Sequence, residues 1–414
     1  MKVETIVTHC AIENKSGLYS VLISNGKFVR FVAQEDINLN DFSGINTIDA
    51  NGMLMLPPLI ETHIHLDKAC ISSRCHLCEG TLSEAITQTS AAKSEFTYSD
   101  IYQRGKTVIE RSIKQGTGYM RAHVEIDPVI GLVGFNAIKQ LKHDYAWGIS
   151  IEICVFPQEG LYNNEGTYEL LEQALKQGAD LLGGCPYTDS HPKKQLESLF
   201  ELASQYDVDL DFHLDFDLKP ERSLLPYLIE LTKKYYYAGR VTVGHVTQLS
   251  MLPHGELIAV AKNMVEAGVN LTALPSTDLF LMGREFESAI PRGVAPLMPL
   301  TDAGVRCSLS SNNIENPFTP YGDGSLIRQS NLYANIAQLG TEKQMNQCFK
   351  WVSSDAAKVM RLEQYGLCEG MPANAIFFAA ENKAKVIATI KAPSMGIKNG
   401  KLTFVRPETE IYPD

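Results

Sequence analysis

The order of elements constrains this chain more than any single motif does. Eight short, mostly apolar, β-prone segments end in small or polar residues, and a stretch with helical periodicity follows each. They are Leu56–His63, Gly118–Glu125, Ile149–Phe156, Asp180–Cys185, Val208–His213, Val241–His245, Val269–Leu274 and Val305–Ser310. A run such as Ile149–Phe156 suits a strand covered by helices. The intervening Tyr168–Gln177 and Gln195–Tyr206 each read as helices ending in a Gly or a polar turn. Eight β-then-α units within about 250 residues predict an eightfold α/β barrel. An open doubly wound sheet would carry a glycine-rich phosphate turn after its first strand, and none follows Leu56–His63.

The two ends read differently. Thr5–Ile12, Leu18–Ile23 and Lys27–Val32 are strand-like and punctuated by Asn25-Gly26; Ala375–Ala379, Ala384–Ile390 and Thr403–Val405 are strand-like, with Asn399-Gly400 as a hairpin turn. These half-sets predict one small β-domain composed of residues 1–55 and 366–414, flanking a barrel of residues 56–365. The alternative is that each end decorates the barrel separately. A length of 414 residues accommodates either arrangement.

Charge narrows the partners. With 48 acidic against 37 basic residues and a formal net charge of −11, the chain does not suit nucleic acid or an anionic membrane, which need clustered Lys and Arg. No apolar run approaches the ~20 residues of a spanning helix. The start, Met1-Lys2-Val3-Glu4-Thr5, has no apolar signal core, and nine irregularly spaced cysteines suit reduced thiols. Together these predict a cytoplasmic protein; the sequence leaves open whether it forms a homo-oligomer.

Histidine placement points to chemistry. His63-Ile64-His65 closes the first predicted strand, and residues i and i+2 of a strand share a side, so both imidazoles can meet one metal ion. Barrel sites lie at the C-terminal ends of strands. There His123 ends the second strand, His213 the fifth and His245 the sixth; His9, His76, His143, His191 and His254 fall elsewhere. A cup of His63, His65 and His213 with His245 nearby is expected, suited to zinc, iron or nickel. Two motifs mislead. Cys75-His76-Leu77-Cys78 lacks the second ligand pair of a zinc site. His123-Val124-Glu125 mimics the His-x-Glu of cytidine-deaminase-type enzymes, but no Pro-Cys-x-x-Cys follows it.

The segment Leu56-Pro57-Pro58-Leu59-Ile60-Glu61-Thr62-His63-Ile64-His65-Leu66-Asp67 resembles the amidohydrolase superfamily, and more narrowly its cytosine deaminase and N-isopropylammelide hydrolase branch. Matches continue in order through Arg121-Ala122-His123-Val124, Phe156-Pro157-Gln158-Glu159-Gly160, Gly183-Gly184, Asp211-Phe212-His213, Gly244-His245, Leu281-Met282-Gly283-Arg284, Arg292-Gly293 and Asn316-Pro317-Phe318. The resemblance implies a distorted (β/α)8 TIM barrel, a small β-sandwich built from both termini, and one divalent metal ion, zinc or iron. It also implies a small nitrogen heterocycle as substrate. The implied metal positions are His63, His65, His213 and Asn312. The position of His245 polarises water or the developing oxyanion, and that of Gln158 reads the edge of the heterocycle.

Two positions depart from the family pattern. Asn312 stands where the eighth-strand Asp is expected, and Phe216 where a proton-carrying Glu is expected. An amide offers a metal a neutral oxygen but cannot accept a proton at neutral pH. General acid–base groups contribute typically ~10²–10⁴-fold in rate each. Three carboxylates are candidates to compensate: Asp278 after the seventh strand, and Asp215 and Asp217 after His213. Phe216 is a candidate to stack on a flat ring. The expectation is a metal-dependent hydrolase of a C–N bond, deamination first and ring-amide hydrolysis second. Its rival is a binding or regulatory protein of the same fold that has lost turnover.

Overall fold

The computed structural model describes residues 3–407 and 409–412. Two eight-stranded sheets organise the chain. The N-terminal segment contributes β1 (Thr5–Ile12), β2 (Leu18–Ser24), β3 (Lys27–Ala33), β4 (Asn46–Asp49) and β5 (Leu54–Leu56) to the first sheet. The second is a parallel barrel of β6 (Leu59–Ile64), β7 (Thr117–Glu125), β8 (Ser150–Phe156), β9 (Leu181–Gly184), β10 (Asp209–Leu214), β11 (Val241–His245), β12 (Val269–Ala273) and β13 (Cys307–Leu309), hydrogen-bonded in sequence order. Helices intervene between the strands, so the architecture is a distorted (β/α)8 barrel. The C-terminal strands β14 (Ala375–Phe378), β15 (Met395–Lys398) and β16 (Lys401–Val405) return to the first sheet, where β14 pairs antiparallel with β5.

The joint between the sheets corrects the expected first strand. Leu56 belongs to the terminal sheet, and β6 starts only at Leu59, because Pro57 and Pro58 have no N–H to give a ladder. The terminal sheet has its own core around Val7, Val21, Ile23, Phe28, Met55, Phe377 and Met395. Both Asn-Gly pairs form the expected hairpins: Asn25 and Gly26, and Asn399 and Gly400, all have positive φ. Ala384–Ile390 is not a strand. Lys383–Ala388 is a helix, started by the Asn382 side chain accepting from the Lys385 amide, and Ala384, Val386 and Ile387 form its buried side.

Apolar faces seat the helices on the barrel. Pro192–Tyr206 buries Leu196, Leu199, Phe200 and Ala203, with Phe200 stacked at 5.9 Å on Phe212 of β10. It stops where Asp207 turns left-handed. The two glycines of β9 have a packing reason: a Cβ on Gly183 would lie 2.5 Å from the Asp211 carbonyl, and one on Gly184 2.6 Å from Leu199. The barrel closes irregularly. Thr62 N donates to the Ser310 hydroxyl at 2.9 Å, Asn312 N to the His63 carbonyl at 2.9 Å, and His65 N to the Asn312 carbonyl at 2.8 Å. That seam sets Asn312 beside the His-x-His pair. Among the described residues no helix is long and apolar enough to cross a membrane.

Candidate metal centre

His63 lies in β6, His65 one residue beyond it, and His213 near the end of β10. The Nε2 atoms of His63 and His65 stand 3.1 and 3.0 Å from Nε2 of His213. One proton can satisfy only one such pair, whereas one cation can take all three lone pairs. Burial first, and then the neighbouring charged groups, hold all three imidazoles well below their ordinary pKa. They are therefore neutral, the form that ligates a metal. Asn312, with a left-handed φ of 63°, has a buried Oδ1 without a hydrogen-bond partner. Three convergent imidazoles beside an orphaned amide oxygen fit a divalent ion.

His245 ends β11, and both it and Val246 have positive φ, 68° and 46°. Such a backbone costs about 1–3 kcal/mol per residue and persists only when the surroundings enforce it. Here Nδ1 of His245 is 2.6 Å from Oδ1 of Asp278, on the first turn of the helix Pro275–Leu281. The other oxygen of Asp278 accepts from the Leu274 amide at 3.2 Å. Burial pushes the Asp278 carboxyl up, against the pull of His245. Phe216 covers the imidazole of His245, with ring centroids 3.8 Å apart. His63, His65, His213, His245, Asp278 and Asn312 are each 0–2% exposed. Phe216, Leu281, Phe318 and Ala85 form an apolar cluster over them, so the site is enclosed.

The structure separates the other two carboxylates from this centre. Asp215 turns left-handed at φ 50°, which ends the strand alternation, and its oxygens accept from the Ser223 hydroxyl and the Leu224 and Leu225 amides. It thereby takes up the amides at the start of the helix Leu225–Lys234. Asp217 accepts from the Lys219 amide and Gln248 Nε2. Both are structural.

Gln158 is buried beside the centre. Its Oε1 accepts from Lys68 Nζ at 2.9 Å, and its Nε2 lies 3.3 Å from the Cys185 sulfur. Sequence reasoning missed Lys68, which is 2% exposed and also donates to Glu125 at 2.7 Å. It missed Asp211 as well. That carboxylate accepts from Arg121 at 2.6 Å and lies 3.4 Å from His123 Nε2 and 3.8 Å from His63 Nδ1. His63, His123 and Asp211 are close enough to hold a cation of their own. The Arg121 guanidinium already neutralises Asp211, however, and the imidazole of His123 stacks at 3.7 Å on that of His63. This second group is a brace behind His63. Its signal was present: Asp211 is two residues from His213, so both face the barrel interior.

The model of the amidohydrolase family matches residues 107–404. This chain belongs to the amidohydrolase family. It is 24% identical over 407 residues to N-isopropylammelide isopropyl amidohydrolase of Pseudomonas sp. (strain ADP), covering 96% of each chain. It is 22% identical over 359 residues to pterin deaminase of Rhizobium rhizogenes, covering 86% of this amidohydrolase and 81% of that protein. Its structure aligns with 5-methylcytosine deaminase from Klebsiella pneumoniae, solved with 5-fluorocytosine, at a TM-score of 0.92 and 27% identity over 99% of each chain.

Proposed function

We propose that this amidohydrolase hydrolyses an exocyclic C–N bond of a small, planar nitrogen heterocycle, releasing ammonia or an amine. His63, His65, His213 and Asn312 would hold one divalent ion, zinc or iron. When bound, such an ion supplies Lewis acidity and makes a nucleophile available from water near neutral pH.

The observation that carries the reading is the His245–Asp278 pair beside the three-histidine cluster. With Nδ1–H held by a buried carboxylate, His245 presents Nε2 towards the centre as a proton acceptor. The carboxylate also stabilises the imidazolium that results, so the same nitrogen can pass its proton to the departing amine. Asp278 acts through His245 and is a positioning residue. This pair replaces the proton carrier lost where Phe216 and Asn312 stand. Phe216 offers a flat face to the ring, Gln158 an amide N–H to its edge, and the apolar cover excludes water.

The test pairs elemental analysis of the purified protein with ammonia and amine release on aminated pyrimidines, triazines and pterins. About one divalent ion per chain and turnover of one ring class are expected. A metal-loaded protein that binds rings and releases nothing would establish the rival, a binding protein.

A further inference from the structure

We infer that the helix Leu82–Lys93 is a lid over the metal centre and that Lys93 is its latch. The lid's role rests on the proposed entry of a ring into that centre and not on turnover.

The imidazoles, Asn312 and Asp278 are buried, and Phe216, Leu281, Phe318 and Ala85 close over them. A planar ring can reach them only if part of this cover moves. Ala85 belongs to a helix that is extra to the barrel. The strand β6 ends at Ile64, and the helix packed on the barrel after it is Tyr98–Lys114, which buries Ile101, Val108, Ile109 and Ile113. Leu82–Lys93 lies in the connection between the two.

Little apolar surface holds this helix down. Of its twelve residues, Ala85, Thr89 and Lys93 are buried, about one per turn along a single line. The hydroxyl of Thr89 has no hydrogen-bond partner among the described residues. Leu82 and Ile86 reach the apolar cover only in part. Pro192–Tyr206, by contrast, buries Leu196, Leu199, Phe200, Leu202 and Ala203. Few buried apolar groups mark an element that opens locally. What fixes it is Lys93 Nζ, 2.8 Å from Glu125, 2.6 Å from Asp127 and 2.7 Å from Glu159. These carboxylates stand on the barrel: Glu125 ends β7, and Asp127 accepts from the amides of Val129 and Ile130. Such a latch is releasable, because desolvation of the ammonium offsets much of the attraction.

The moving piece is defined by its own bonds. Glu84 accepts from the amides of Cys78, Glu79 and Gly80, and Gln88 from that of His76, so the preceding loop travels with the helix. Before that loop, the amides of Cys70, Ile71 and Ser72 donate to the carbonyls of Ile314 and Glu315. One hinge therefore lies between Ser72 and His76, and the other between Lys93 and the start of Tyr98–Lys114.

Cys185 is a native reporter beneath the lid. It is buried, its sulfur lies 3.3 Å from Gln158 Nε2, and Lys68 joins Gln158 to Glu125. N-ethylmaleimide, a small ring, is the probe, and peptide mass mapping follows each cysteine of the metal-loaded protein. Cys307 and Cys348, buried in the barrel core, report global unfolding. Cys185 should label faster than either, because labelling tracks the opening that each site requires. Glu159→Ala removes one partner of Lys93 and should speed Cys185 about threefold to tenfold; Lys93→Met should do so at least about thirtyfold. Amide exchange should quicken over Leu82–Lys93 and not over Pro192–Tyr206. Where Lys93→Met fails to fold, Glu159→Ala decides alone. A Cys185 rate no faster than those of Cys307 and Cys348 in the wild type, or unchanged in Glu159→Ala, would overturn the lid. Metal content and turnover are read separately, so failure of the lid leaves the hydrolase reading intact, and loss of that reading leaves the lid over a binding site.

Discussion

Asp278→Asn isolates the proton carrier. Asp278 is fully buried and accepts from two donors, His245 Nδ1 at 2.6 Å and the Leu274 amide at 3.2 Å. Asparagine has one oxygen and cannot accept from both. If its oxygen faces Leu274, its NH2 faces His245, and the imidazole must move its proton to Nε2, where it cannot act as a base. If the oxygen faces His245, an amide donor meets the Leu274 N–H and the carboxylate's stabilisation of the imidazolium is lost. A hydrogen bond to a charged group is worth about 1.5–3 kcal/mol, and 1.4 kcal/mol is a factor of ten. The expected fall in kcat is therefore about 10–150-fold, within the general range for acid–base groups. Metal content should change little, and the loss of stability should not exceed the ~1–3 kcal/mol of one unsatisfied buried polar group. Nitrogen NMR of His245 reads the tautomer directly, and steady-state turnover reads its consequence. A variant with wild-type tautomer and wild-type kcat would refute the reasoning.

The double variant His63→Ala/His65→Ala should lose its divalent ion, and full retention of metal would remove the site. Asn312→Asp should tighten metal binding at least about tenfold, since a carboxylate replaces a neutral amide; unchanged affinity in a chelator competition would place the side chain away from the ion. Glu61 is fully buried, and burial raises its carboxyl from 4.5 to about 7. Its contribution to stability is complete below about 4.5 and is lost as pH rises through about 7. Denaturant titrations of Glu61→Gln from about pH 5 to about pH 8 should therefore lack a decline of ~3 kcal/mol seen in the wild type. Asp215→Ala leaves the Ser223 hydroxyl and the Leu224 and Leu225 amides without their acceptor and should cost about 1–3 kcal/mol in the same titrations while leaving metal content unchanged; loss of metal would return Asp215 to the site.

What the sequence revealed follows from short-range rules. His63 and His65 are two residues apart on a strand, and two residues is the repeat of a strand, so their convergence was legible. His213 and His245 could be placed because they close their strands. The Asn-Gly turns declared themselves by their need for positive φ. The failures have physical causes as well. Alternation was carried past His213 to Asp215 and Asp217, but the left-handed turn at Asp215 broke it. Ala384–Ile390 has an apolar run that serves strand or helix equally, and the capping of Lys385 by Asn382 decided it. Lys68, in the turn after β6, and Glu125, at the end of β7, are buried charges. Each would be placed at the surface on composition alone, and the ion pairs that Glu125 makes with Lys68 and Lys93 make them tolerable inside.

Phe216 and Asn312 read as two separate losses in the sequence, yet in the structure they act on one quantity. Each position lacks the carboxylate that the family pattern carries, and Phe216 also sets an apolar wall against His245. In the proposed reaction the proton carrier moves back by one group, from a carboxylate facing the ring to an imidazole backed by a carboxylate. Asp278 is the hydrogen-bond partner of His245 Nδ1, behind the imidazole. The proposed site keeps its imidazoles and Gln158, so the proton transfer it needs rests on the His245–Asp278 pair.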